Sequence, residues 1–253
     1  MLPEPFYELG DHIAIDLPGA RAVFTTRRGG VSAAPYDTLN FGLLTDDDAK
    51  AVRSNRERVA QQLGVKFAWR KQVHGAAVHV VDTPWTEAGM PPDGDAVVTT
   101  TRGVAPLVLA ADCVPIAIAG PGVVAMVHAG WQGLNSGVIA ATVAAMRPMC
   151  IRDRAHGGNE PTINAAIGPA AGVCCYEVSE ELVERFASLG HGERHQGRRL
   201  DLKGIAADQL SQAGVNVTHD VSLCTICAPR DLLFSHRADG GVTGRQAGIV
   251  WLT

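Results

Sequence analysis

Apolar residues along this chain come in short runs broken by glycine and proline. The pattern predicts strands over 22–26, 78–82, 95–99, 106–111, 115–119, 123–128, 162–167, 232–236 and 247–252. Several runs, such as VVAMVH at 123–128, show no polar alternation, so their sheets should be covered on both faces. Four stretches change to helical spacing. The first spans 48–63, with Asp46 or Asp47 as N-cap, Gly64 past its end, and Val52, Val59 and Leu63 on one side. The second, 134–146, is apolar nearly all round and should be buried. The others are 180–189, between Ser179 and Gly190, and 202–213, between Asp201 and Gly214. Only 152–160 and 190–199 read as long loops. With no internal repeat and no low-complexity linker, residues 1–253 read as one α/β domain.

The totals narrow the partner more than the fold. A chain of 253 residues, 46% hydrophobic and 19% charged, is long enough and apolar enough for a substantial core. Its net charge of −4, with no basic run, leaves no footprint for nucleic acid or an anionic membrane, so the expected partner is a small molecule. No apolar run reaches the roughly 18 residues of a membrane span. The N-terminus carries acids and prolines rather than a signal peptide, so the expected location is the cytoplasm. In that reducing compartment the six cysteines read as thiols, metal ligands or nucleophiles rather than disulfides.

Three residues then stand out together. His74 in WRKQVHG, Cys113 in VLAADCVPIAIAG and His128 in VVAMVHAGWQG each sit at or beside the C-terminal end of an apolar stretch, next to small residues that let a ligand approach. Singly, Cys113 reads as a small buried hydrophobe, and each histidine as a satisfied or surface residue. Together, two imidazoles and one thiol from three separate segments suit an open catalytic zinc or copper site, in which three protein ligands leave a position for water or substrate. A metal-free reading keeps Cys113 as nucleophile and His128 as base.

The same residues carry a resemblance. The blocks FTTRRGGVS, QVHG, ADCVPIAI, VHAGWQG, AAIGPAAGVCCYEVSEEL, LDLKGIAADQL and LCTICAPRDLLFSHRADGGVTGRQAGIVWL occur in this order, and the chain resembles the YfiH or laccase-domain family. That family is also called the polyphenol oxidase or purine nucleoside phosphorylase family. The resemblance implies an α/β fold of two packed mixed sheets flanked by helices in α/β/β/α layers. It implies zinc held by His74, Cys113 and His128, which would be the catalytic group, and phosphorolysis of adenosine, inosine and methylthioadenosine with a companion adenosine deaminase activity. The partners would be a purine nucleoside and phosphate, taken by a monomer or small homo-oligomer. The older family name implies copper (Cu2+) and phenol oxidation, but one three-ligand site lacks the several His-rich clusters of a multicopper oxidase.

Four further residues complete the expected site. Arg27, followed by Gly29 and Gly30, is a candidate phosphate cradle, against the plainer reading of a solvated glycine turn. The family blocks place Asn40 and Gln72 beside the pocket as hydrogen-bonding groups, against a reading as loop caps. Gln132 stands where family members read arginine (HAGWRG), which removes a charged fork for phosphate. The CTIC of 224–227 has no second pair at zinc-ribbon spacing, and the resembled block carries one cysteine there, so Cys227 reads as incidental.

Overall fold

Strands that are apolar on both faces need cover on both faces, and four layers supply it. The computed structural model describes residues 1–86, 89–150 and 161–253; the loop expected at 152–160 lies outside them. One sheet runs in the order β1 (Tyr7–Leu9), β2 (His12–Leu17), β3 (Ala20–Phe24), β14 (Gln246–Leu252), β7 (Val104–Ala110) and β4 (Lys66–Ala68). The other runs β13 (Val217–Asp220), β10 (Asn164–Ile167), β8 (Val114–Gly120), β9 (Val123–Ala129), β6 (Ala96–Thr99) and β5 (Val78–Val80). Both are mixed: the β4/β7, β10/β13 and β5/β6 pairs are parallel and the rest antiparallel.

The sheets face one another through Ile15, Phe24 and Val108 on one side and Ala117, Val124 and Met126 on the other. On the outer face of the first sheet, helix α1 (Ala49–Leu63) packs Val59 against Leu107 and Ile249. On the outer face of the second, Ile116 and Val127 meet Leu134 of α2 (Trp131–Asn135), Ile139 of α3 (Val138–Met146) and Ile205 of α5 (Leu202–Gln212). The expected α/β/β/α layering is therefore borne out, and β8 and β9 are buried at every position because they lie in its middle. Each large apolar side chain fully buried there contributes about 1.5–3 kcal/mol.

Several boundaries move for local reasons. The cap of α1 is Asp48 rather than Asp46 or Asp47, its carboxylate accepting from the Lys50 N–H, while Gly64 ends the helix as expected. The apolar stretch 134–146 is two helices, because Gly137 adopts φ 79 between them. Helix α4 (Glu180–Phe186) ends sooner than expected, in a wide turn over Ala187–His191. The expected loop at 190–199 contains a small hairpin, β11 (His195–Gln196) with β12 (Arg199–Leu200). Residues 232–236 are not a strand; the Gln246 side chain bonds both the N–H and the C=O of Phe234 and takes the place of a ladder. No helix among the described residues is long and apolar enough to cross a membrane.

Candidate metal centre

The strand β9 stays apolar until His128, and the reason for that imidazole is Asp95. This acid precedes β6, is fully buried, and its Oδ1 accepts from His128 Nδ1 at 2.8 Å. Its two oxygens also accept from the backbone N–H groups of Val73 (3.2 Å), His74 (3.0 Å) and Gly75 (2.7 Å). One carboxylate thus holds both the ring of His128 and the turn that presents His74, whose backbone sits at φ 60. With Nδ1 engaged, Nε2 of His128 is the nitrogen left for chemistry.

Cys113 completes the group from the turn between β7 and β8. The ligand atoms of His74, Cys113 and His128 all lie within 4.8 Å of one another, and the two imidazoles meet edge to face with centroids 4.8 Å apart. Gly130 makes room: a Cβ there would stand 3.0 Å from both Cys113 Sγ and His74 Cδ2. The donor set fits a metal on chemical grounds. Three donors of types that zinc and copper both take converge, and a buried carboxylate orients one of them, as ligating histidines usually require.

Charge is arranged to match. Burial opposes ionisation of Cys113, but the adjacent His128 and a hydrogen bond from His74 override it and lower the thiol from 9.0 to about 6. Burial likewise opposes charging of His128, but Cys113 and Asp95 raise it from 6.5 to about 9. Burial alone would raise the Asp95 carboxyl, yet the His128, Gly75 and Val73 donors hold it below its ordinary value.

The three donors lie on the wall of a cavity of about 450 Å³, which is also lined by Arg56, Arg70, Lys71, Arg237 and Arg245. Gln72 and Gln132 line it as well. Gln72 is fixed by two 2.7 Å hydrogen bonds to the backbone of Leu109, whereas Gln132 is exposed. Arg27 and Asn40 are not brought to this cavity. The Arg27 guanidinium bonds the carbonyls of Asp37 and Arg230 and lies over the Phe234 ring. Asn40 is fully buried; it donates to Thr45 and Asp47 and accepts from the N–H groups of Gly42 and Arg245.

Sequence reasoning missed Asp95, Asp112, Arg70 and Arg245. Asp112, at φ 90 immediately before Cys113, accepts from Thr225, Ser235 and the Arg237 N–H, tying the 225–237 segment to the site. Arg70 lines the cavity with a buried Nε that has no hydrogen-bond partner among the described residues. Burial lowers the pKa of both Arg70 and Arg245, which marks their charges as poorly solvated.

Comparison with known proteins adds findings of three kinds. Residues 21–253 match the family described as multi-copper polyphenol oxidoreductase laccase. A purine nucleoside phosphorylase of Streptomyces coelicolor is 43% identical, the match covering 92% of this chain and 96% of that protein. One of Corynebacterium glutamicum is 38% identical over 92% and 94%. Among solved structures, YlmD from Geobacillus stearothermophilus has a TM-score of 0.85 at 33% identity over 99% of each chain. The YfiH protein of Bacillus licheniformis has a TM-score of 0.85 at 30% identity, over 99% of this chain and 100% of that one.

Proposed function

Because this chain belongs to the multi-copper polyphenol oxidoreductase laccase family, and curated relatives bear the name purine nucleoside phosphorylase, we propose that it is a zinc-dependent purine nucleoside phosphorylase that also deaminates adenosine. The observation that carries this reading is one cavity whose wall is formed both by His74, Cys113 and His128 and by a set of arginines. In phosphorolysis a phosphate oxygen attacks C1′ of the ribose, and the C1′–N9 bond breaks with its electrons going to the base, which takes up a proton. The anion needs donors that are desolvated in advance, and Arg70 and Arg245 are of that kind. Arg70 and Arg245 both line the cavity, and the backbone N–H of Arg245 is fixed by donation to Asn40 Oδ1. Asp95 orients His128 and the His74 turn, and Gln72 holds the cavity wall through Leu109. His74, Cys113 and His128 would hold the zinc, which when bound would supply the Lewis acidity that hydrolytic deamination at C6 needs. Gln132 leaves one charged phosphate contact fewer than an arginine would.

A second reading rests on the Cys113–His128–Asp95 chain, which without metal is a thiolate, an imidazolium and an orienting carboxylate, the set of a cysteine hydrolase. The deciding experiment incubates pure protein with adenosine and phosphate, before and after chelation, with metal content measured in parallel. Adenine and ribose 1-phosphate that vanish on chelation and return with zinc support the phosphorylase. Inosine under the same dependence supports the deaminase. No turnover of adenosine or inosine in any metal state sinks the proposal, and return of activity with copper alone reassigns the metal.

A further inference from the structure

Four cysteines outside the nucleoside cavity form a second sulfur group. Strands β10 and β13 are parallel neighbours, so the segments leaving their C-terminal ends run side by side, and Ala170 bridges Cys224 in parallel register. That register brings the vicinal pair Cys174 and Cys175 to the CTIC pair Cys224 and Cys227. All four Sγ atoms lie within 4.8 Å of one another, and none is in a disulfide.

The spacing is that of a ligand cage. A tetrahedral ion with Zn–S bonds of about 2.3 Å holds its sulfurs about 3.8 Å apart. Cys174 Sγ and Cys227 Sγ already stand 3.7 Å apart. Cys224 Sγ accepts from the Gly172 N–H at 3.2 Å and from the backbone N–H groups of Ile226 and Cys227, the pattern that stabilises a thiolate at the start of a C-x-x-C turn. Four adjacent sulfurs cannot all ionise without a cation, because like charges oppose it. Cys174 and Cys227 are exposed while Cys175 and Cys224 are half-buried, which provides an entry path.

We propose that Cys174, Cys175, Cys224 and Cys227 bind a zinc ion in a closed four-thiolate site. The ion clamps the segment after β10 to the segment after β13. Both segments grip the residue before Cys113: the Ala171 N–H donates to the Asp112 carbonyl, and Thr225, inside the CTIC turn, donates to its carboxylate at 2.6 Å. The role is structural, since four protein ligands leave no position for substrate.

The test uses the full chain carrying Cys113→Ala, purified under reducing conditions, and its readout is metal, so it is independent of nucleoside turnover. The variant should retain about one zinc per chain, and Co2+ substitution should give the thiolate-to-cobalt charge-transfer and tetrahedral ligand-field bands of a four-sulfur site. Adding Cys174→Ser and Cys227→Ser, both at exposed positions, should weaken zinc affinity by more than the roughly 100-fold that loss of a mere supporting group costs. Single Cys227→Ser, read by circular dichroism and zinc competition, guards against an unfolded double variant. Zinc held undiminished by the folded serine variants overturns the proposal. So does a cobalt spectrum lacking four-sulfur bands, or a non-reduced mass showing a disulfide and no zinc.

Discussion

Replacing Asp95 with asparagine tests whether the metal centre is built on one carboxylate. Its Oδ1 accepts from His74 N–H and His128 Nδ1, and its Oδ2 from Val73 N–H and Gly75 N–H. An amide keeps one acceptor oxygen, so its NH2 must face two donors. The least costly arrangement turns the NH2 toward His128, which then moves its own proton from Nδ1 to Nε2 and accepts instead. That leaves the His74 N–H unpaired, at about 1–3 kcal/mol, and turns the ligating nitrogen into a donor. Metal affinity should therefore fall about 10–100-fold, while unfolding shifts by roughly 2–4 °C per kcal/mol lost. Competition with a chromogenic chelator reads the first and a thermal scan the second. Wild-type zinc affinity in a variant of wild-type stability would refute the reasoning, since Asp95 is the group that holds both His128 and the His74 turn.

The coupled thiol and imidazole give a pH signature in metal-free protein. The folded pKa of Cys113 is depressed, so its contribution to stability is complete above 9.0 and is lost as pH falls through about 6; that of His128 is raised, so its contribution is complete below 6.5 and is lost as pH rises through about 9. Alkylation of Cys113, followed by peptide mass, should stay fast down to about 6, and a midpoint near 9.0 would show no ion pair. Gly130→Ala should displace Cys113 or His74 by a few tenths of an ångström and weaken zinc binding with little loss of fold, measured by the same chelator competition; unchanged affinity would mean the turn yields freely. Gln132→Arg should lower the apparent KM for phosphate by about one to two powers of ten in a titration of adenine release, and overlapping curves would show that position 132 does not see the anion.

Cys113 and His128 were legible because each stands at the end of an apolar run with small neighbours, whereas His74 follows the largely polar WRKQV and was marked by Gly75 and the QVHG block. Asp95 was not legible, since it reads only as the polar first residue of the strand expected over 95–99; the fold buries it under three N–H groups and an imidazole. Arg27 and Asn40 illustrate the converse, as their polarity is consumed by neighbouring backbone rather than offered to a ligand. The CTIC turn looked unpaired because its partner is a vicinal pair some fifty residues earlier, joined to it by the β10/β13 register. Cover on both faces was readable from uninterrupted apolar strands and the two packed sheets from the family resemblance, whereas the order of strands within each sheet depends on long-range pairing that periodicity does not encode.

His74 lies on the connection from β4 to β5 and Cys113 on the connection from β7 to β8, and each of these connections leaves one sheet and enters the other. A chain with either half of the sandwich unmade has no means of placing the donors together, so an occupant of the site acts as a rivet through the seam and recognises only the finished structure. Its binding energy then adds in full to global stability, about 4 kcal/mol at a thousandfold excess over Kd. Depletion of the occupant should loosen the seating of one sheet on the other before it unravels either.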